Sequence, residues 1–252
     1  SPATISTAAA GTITYTFTPT AGQCATTATM NVTVNANVTP TFTALGPYCV
    51  GAAPAALPGT STNGINGTWS PATISTAAAG TITYTFTPTA GQCATTATMN
   101  VTVNANVTPT FTALGPYCVG AAPAALPGTS TNGINGTWSP ATISTAAAGT
   151  TTYTFTPTAG QCATTTTMNV TVNANVTPTF TALGPYCVGA APAALPGTST
   201  NGINGTWSPA TISTAAAGTI TYTFTPTAGQ CATTATMNVT VNANVTPTFT
   251  AL

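Results

Sequence analysis

The undecapeptide Ser-Pro-Ala-Thr-Ile-Ser-Thr-Ala-Ala-Ala-Gly begins at Ser1, Ser70, Ser139 and Ser208, so the chain repeats itself at one fixed interval. The third copy departs only in Thr151, where the others carry Ile13, Ile82 and Ile220, and in Thr166, where they carry Ala28, Ala97 and Ala235. Whatever fold the chain adopts must therefore be one solution of that length used again and again. A period of roughly 70 residues is too long for one coil of a solenoid and suits a small, complete β-domain.

Within the repeat the strongest pattern has a period of two. In Gly11 to Cys24, Ile13, Tyr15 and Phe17 alternate with Thr12, Thr14, Thr16 and Thr18, which puts apolar side chains on one face of a strand and hydroxyls on the other. The same reading predicts short strands at Thr41–Leu45, Ala55–Leu57, Gly67–Trp69, Thr73–Ser75, Thr81–Thr87 and Thr96–Val103. Asn63-Gly64 and Asn66-Gly67 are turn dipeptides, since both residue types tolerate positive φ. No stretch has a helical period, and Ala77-Ala78-Ala79 is closed at once by Gly80. Many short strands divided by Gly, Pro and Asn predict an all-β chain of small antiparallel sandwiches strung into a linear rod.

The cut between repeats is expected near Asn37/Val38. The Met30-Val32-Val34 run and the Val38-Pro40-Phe42-Ala44 run are separated there by only Asn35-Ala36-Asn37, and Pro40 can open an edge strand. A cut at Trp69/Ser70 would divide the chain at a bulky aromatic that must be buried. The expected organisation is the C-terminal part of a repeat at 1–37, whole repeats at 38–106, 107–175 and 176–244, and the start of another at 245–252. The half-repeat cannot build its own core, and Ser1 is not expected to be the native start, because no signal-peptide pattern follows it.

Composition then narrows the function. The chain has no Lys, Arg, Asp, Glu or His. Apart from Tyr and Cys, every usual general acid or base is missing, and triads, Cys/His pairs and carboxylate dyads cannot be assembled. Calcium and magnesium lack carboxylate ligands, and nucleic-acid phosphates lack a cationic partner. The chain is expected to be no enzyme, to use no cofactor and to bind no nucleic acid. Hydrophobic residues make up 43%, and they fall in strand-like alternation, which argues against disorder. The most apolar run, Ala44 to Gly59, is broken by Pro47, Pro54 and Pro58, so no membrane span is expected in this segment.

Cysteines stand at 24, 49, 93, 118, 162, 187 and 231. The proposed boundaries group them as Cys49–Cys93, Cys118–Cys162 and Cys187–Cys231, all at the same spacing, with Cys24 unpaired because its partner falls in the missing half-repeat. The rival grouping, Cys24–Cys49 and onward, is closer in sequence but spans the linker and strands Cys231. Small domains commonly need such a bridge, and bridges imply an oxidising, extracellular setting. A zinc site would need two repeats to supply four thiolates. An internal thioester at Gln23-Cys24 has only a commonplace dipeptide behind it.

Other motifs have plain readings. Trp69, Tyr48, Tyr84 and Phe86 could form a sugar-stacking platform but are expected to be core, with Tyr48 the most exposed of them. Asn31-Val32-Thr33, Asn37-Val38-Thr39 and Asn66-Gly67-Thr68 match glycosylation sequons, as chance allows in so Asn- and Thr-rich a chain. Ice binding would need several stacked threonine rows on a flat face, and each repeat has one long row.

The early Cys after Pro47-Tyr48, the Asn-Gly turns before Gly67-Thr68-Trp69, the Tyr84-Thr-Phe-Thr-Pro88 strand and the Gly91-Gln92-Cys93 corner carry a resemblance. Together they resemble the tandem Ig-like repeats of giant surface adhesins of Bacteroidetes-type bacteria, associated with gliding motility and type IX secretion. The resemblance implies Ig-like sandwiches in an extracellular, cell-surface stalk or filament. Its partners would be neighbouring repeats of the same chain or other copies of the filament, with an unknown ligand at the tip. A self-assembling sheath and a glycan-binding module are the alternative expectations. Isopeptide and calcium clamps, which stiffen many stalks, cannot form without Lys, Asp or Glu.

Overall fold

A computed structural model describes residues 4–249 of the chain. The strands are β1 (Gly11–Phe17), β2 (Ala28–Val34), β3 (Tyr48–Cys49), β4 (Gly67–Ser70), β5 (Gly80–Pro88) and β6 (Ala97–Asn104). The pattern of the last four then recurs as β7 (Tyr117–Cys118), β8 (Gly136–Ser139), β9 (Gly149–Pro157) and β10 (Thr166–Asn173), and again as β11 (Tyr186–Cys187), β12 (Gly205–Ser208), β13 (Gly218–Pro226) and β14 (Ala235–Asn242). The described residues contain no helix. The fold is all-β.

Two compact units make up the chain. One comprises Ser1–Val107 with Gly160–Thr164, the other Thr108–Ala159 with Thr165–Leu252. The first unit holds the β1–β2 hairpin and a four-stranded sheet in the order β3-β6-β5-β4. The second holds two sheets of the same design, β7-β10-β9-β8 and β11-β14-β13-β12. In each four-stranded sheet the first strand pairs parallel and the others antiparallel.

The central hairpin follows from the alternation. Tyr84 and Phe86 of β5 are 1% and 0% exposed, and Met99, Val101 and Val103 of β6 are buried in the same alternating pattern. Trp69 and Phe42 close over Phe86 with ring centroids 5.2 and 4.8 Å away. Burying each such side chain contributes roughly 1.5–3 kcal/mol. On the wet face the threonines hydrogen-bond across the strands. Thr81 and Thr102 hydroxyls are 3.0 Å apart, and the Thr83 hydroxyl donates to Asn100 Oδ1 at 2.7 Å. Cross-strand polar pairs do here what charged pairs do on most sheets.

The other layer differs from expectation. Thr41–Leu45, Ala55–Leu57 and Thr73–Ser75 are not strands. Pro40, Pro47, Pro54, Pro58 and Pro71 punctuate this layer, and a residue without an N–H cannot serve a central ladder. Isolated backbone bonds, such as the Thr62 N–H to the Thr41 carbonyl at 2.8 Å, and side chains replace the ladder. Asn63 Oδ1 accepts from the Thr41 N–H and the Ser61 hydroxyl, while its Nδ2 donates to the Thr39 carbonyl. The Trp69 indole N–H donates to the Pro58 carbonyl at 2.8 Å. Each repeat is thus sandwich-like, one regular sheet faced by an irregular layer pinned to it.

Residues 4–37 carry only the hairpin half of this arrangement. Phe17 and Met30, which correspond to Phe86 and Met99, are 69% and 55% exposed.

Candidate functional site: the cysteine junction

The residues with distinctive chemistry gather where one copy of the repeat runs into the next. Strand β3 pairs in parallel with the end of β6, which sets Cys49 opposite Asn104. The Val50 N–H then donates to the Asn104 carbonyl at 3.0 Å, and Asn106 Nδ2 donates to the Val50 carbonyl at 3.0 Å. Only Ala105 and Asn106 separate Asn104 from Val107. Val107 in turn forms a parallel bridge to Ala163, its N–H donating to the Cys162 carbonyl at 2.9 Å. The short linker therefore brings Cys49 and Cys162 to the same place from two sides.

They are bonded there. The Cys49–Cys162 disulfide has its Cα atoms 5.1 Å apart and a sequence separation of 113. Cys118–Cys231 repeats the arrangement, again with 5.1 Å between Cα atoms and a separation of 113. Its surroundings repeat too. Asn175 Nδ2 donates to the Val119 carbonyl, and the Val176 N–H to the Cys231 carbonyl. In both bonds the first cysteine of one copy meets the second cysteine of the next.

This corrects the pairing expected from spacing. Cys49–Cys93, Cys118–Cys162 and Cys187–Cys231 are not formed, and neither is the rival set that begins with Cys24–Cys49. The reason is the strand between the two ends. Cys93 lies in the β5–β6 turn, before the first residue of β6, whereas Cys49 sits beside its last. A strand of this length, at about 3.3 Å per residue, sets the two ends roughly 25 Å apart, and a disulfide reaches across at most about 7 Å between Cα atoms. The same geometry separates Cys118 from Cys162 along β10 and Cys187 from Cys231 along β14. Cys24, Cys93 and Cys187 are free and exposed.

The other candidates resolve as packing. Trp69 is 8% exposed within the core. Tyr48 is half-buried against that core rather than displayed, and its hydroxyl accepts the Ala55 N–H at 3.1 Å. Gln92 is engaged with Asn66. Its Nε2 donates to the Asn66 carbonyl at 2.8 Å and its Oε1 accepts the Asn66 N–H at 2.9 Å, so the amide ties the Gly-Gln-Cys corner to the start of β4. Asn66-Gly67 is bridge and strand there rather than the turn expected, and the positive φ falls on Gly64. A shallow apolar notch between Leu57 and Ile74 has Thr73 as its one polar lining residue. Among the described residues no three metal-ligating side chains come together, and no helix is long and apolar enough to cross a membrane.

No family model and no curated protein matches the chain. Among solved structures it is similar to domains 1–6 of the surface layer protein SbsC, at 15% identity and a TM-score of 0.22. That alignment covers 92% of this chain and 45% of the other, so the chain spans less than half of that structure's length. A likeness this distant carries no argument about what the chain does.

Proposed function

We propose that this chain is a length of an extracellular structural stalk, part of a bacterial surface adhesin or filament. One observation carries the reading. The disulfides tie the copies 38–106 and 107–175 each to its successor instead of closing a copy on itself. A bond placed at the junction serves the array, and such bonds persist where the surroundings are oxidising, outside the cell. The surface agrees with a passive role, since a chain without one charged side chain presents hydroxyls and amides and no carboxylate, imidazole or cation. The resemblance of the repeats adds support for an Ig-like adhesin array of the kind associated with gliding motility and type IX secretion.

Lateral self-assembly into a sheath is the second reading, favoured by neutrality, because nothing electrostatic keeps copies apart. A glycan-binding module loses its support with Tyr48 packed and Trp69 buried. Small-angle scattering of the oxidised chain over a concentration series tests these readings. A stalk requires a maximum dimension several times the width of one repeat and no dependence on concentration. A particle of compact dimensions would refute it, and steady growth of cross-section with concentration would turn the assignment to the sheath.

A further inference from the structure

The two disulfides overlap along the chain. Cys118 lies inside the ring closed by Cys49–Cys162, and Cys162 lies inside the ring closed by Cys118–Cys231. From Cys49 to Cys231 the backbone runs through more than two full periods of the repeat. A path through the two bonds needs only the segment between Cys162 and Cys118, travelled backwards. That shorter path uses neither Asn104-Ala105-Asn106 nor Asn173-Ala174-Asn175.

We propose that the disulfides form a load path around the junctions, so that the linkers set the spacing of copies while the bonds carry tension. When the chain is pulled from its ends, the shortest covalent route becomes taut first, and the longer backbone arms stay slack. The same topology makes the junction tolerant of damage. A single backbone cut anywhere between Cys49 and Cys231 leaves one covalent molecule, because at least one bond spans every position. Pairing within copies would do the opposite and make each linker the sole connection. The inference goes beyond the stalk reading, since it rests on the register of the bonds alone.

The test is to cut the linkers and pull. A site-specific protease sequence is inserted after Asn104 and another after Asn173, the free thiols are capped, and the oxidised full chain is tethered by its termini. After both sites are cut, the molecule should still hold force at unchanged full length. That length should be about 480 Å short of the uncut chain in reductant, from roughly 3.5 Å for each residue bypassed. Parting without reductant, or lengthening on cutting, would overturn the proposal. The unmodified chain gives a second reading that an insertion cannot spoil. Cyanogen bromide cleaves after Met30, Met99, Met168 and Met237 and leaves disulfides intact. The fragments 31–99, 100–168 and 169–237 should then run as one species that separates on reduction. Three separate fragments before reduction would sink the idea. A compact particle in scattering would refute the stalk and leave both of these results untouched.

Discussion

Cys49 is bonded to Cys162 at a sequence separation of 113, while Cys93 of its own copy stands at the far end of β6 with a free thiol. The relationship follows from where β3 sits. Two residues of parallel pairing, Tyr48 with Val103 and Cys49 with Asn104, hold the first cysteine at the exit of the sheet. The Val107–Ala163 bridge holds the turn that bears Cys162 beside that exit. Closing a ring of this size restricts the unfolded chain by about 5 kcal/mol in the chain-entropy account. The two contributions are not additive, because the rings share the Cys118–Cys162 segment.

Thiol counting follows directly. Capping the native, oxidised chain with a maleimide should add three labels, on Cys24, Cys93 and Cys187, all exposed. Denaturation with reductant should raise the count to seven. A single label, on Cys24, is the result that pairing within copies demands, and peptide mapping of the labelled chain distinguishes the two.

Gly67 is required by the aromatic core rather than by its backbone angles. A Cβ built there would lie 2.5 Å from Phe86 Cζ and against the Thr87 carbonyl. Phe86 is wholly buried between Phe42 and Trp69, so its ring has nowhere to go. Gly67→Ala should lower the stability of that repeat by about 1–3 kcal/mol or more, as overpacking does. Gly59→Ala is the control, because a Cβ there meets nothing within 4 Å. Denaturant unfolding of the two variants should separate them clearly, and equal midpoints would contradict the packing.

Asn63 should matter more than an exposed amide usually does. It joins Thr39, Thr41 and Ser61 by three hydrogen bonds, and these attach the first segment of the irregular layer to the turn. Asn63→Ala is expected to cost about 1–3 kcal/mol, since several partners lose their bond at once. Hydrogen exchange at the Thr41 amide should rise in the variant. Unchanged protection there would mean that the Thr62 bonds to Thr41 and the apolar contacts hold the layer without Asn63.

How much of this is legible in the sequence differs between the two layers. Alternation in Thr81–Thr87 and Thr96–Val103 defines the central hairpin and its buried face, because period-two patterning is a property of one strand at a time. Trp69 and Phe86 are legible as core because large aromatics in so small a unit have nowhere else to go. The irregular layer is not legible, because its segments also alternate, and only the density of prolines marks them as unable to form a ladder. The cysteine register is hidden for a different reason. The spacing of Cys49 and Cys93 along the chain says nothing about distance until β3 is known to pair with the end of β6, and a two-residue strand leaves almost no pattern to read. The linker Asn104-Ala105-Asn106 is visible as a joint, but not as the device that places two cysteines together.

The absence of charge gives the last prediction. No side-chain carboxylate, imidazole, ammonium or guanidinium exists in the chain. With the thiols capped, only the chain termini are of a type that approaches titration at the edges of the range between about pH 4 and pH 8. Stability changes with pH only where folded and unfolded states bind different numbers of protons. Here no side chain gains or loses a charged partner on folding, so the two proton counts agree and the slope is zero. Salt should matter equally little, because there is no ion pair to screen and the Thr81–Thr102 and Thr83–Asn100 pairs of the wet face are neutral. Thermal unfolding of the oxidised chain, thiols capped, is therefore expected to give one midpoint at pH 4, 6 and 8, both in low salt and in roughly 1 M NaCl. Sulfate should raise that midpoint without contradiction, since it strengthens apolar burial rather than acting on charge. A shift of more than a few degrees with pH would show that a charged modification or ligand had joined the fold, and the account of a surface built from threonine in place of charge would fail.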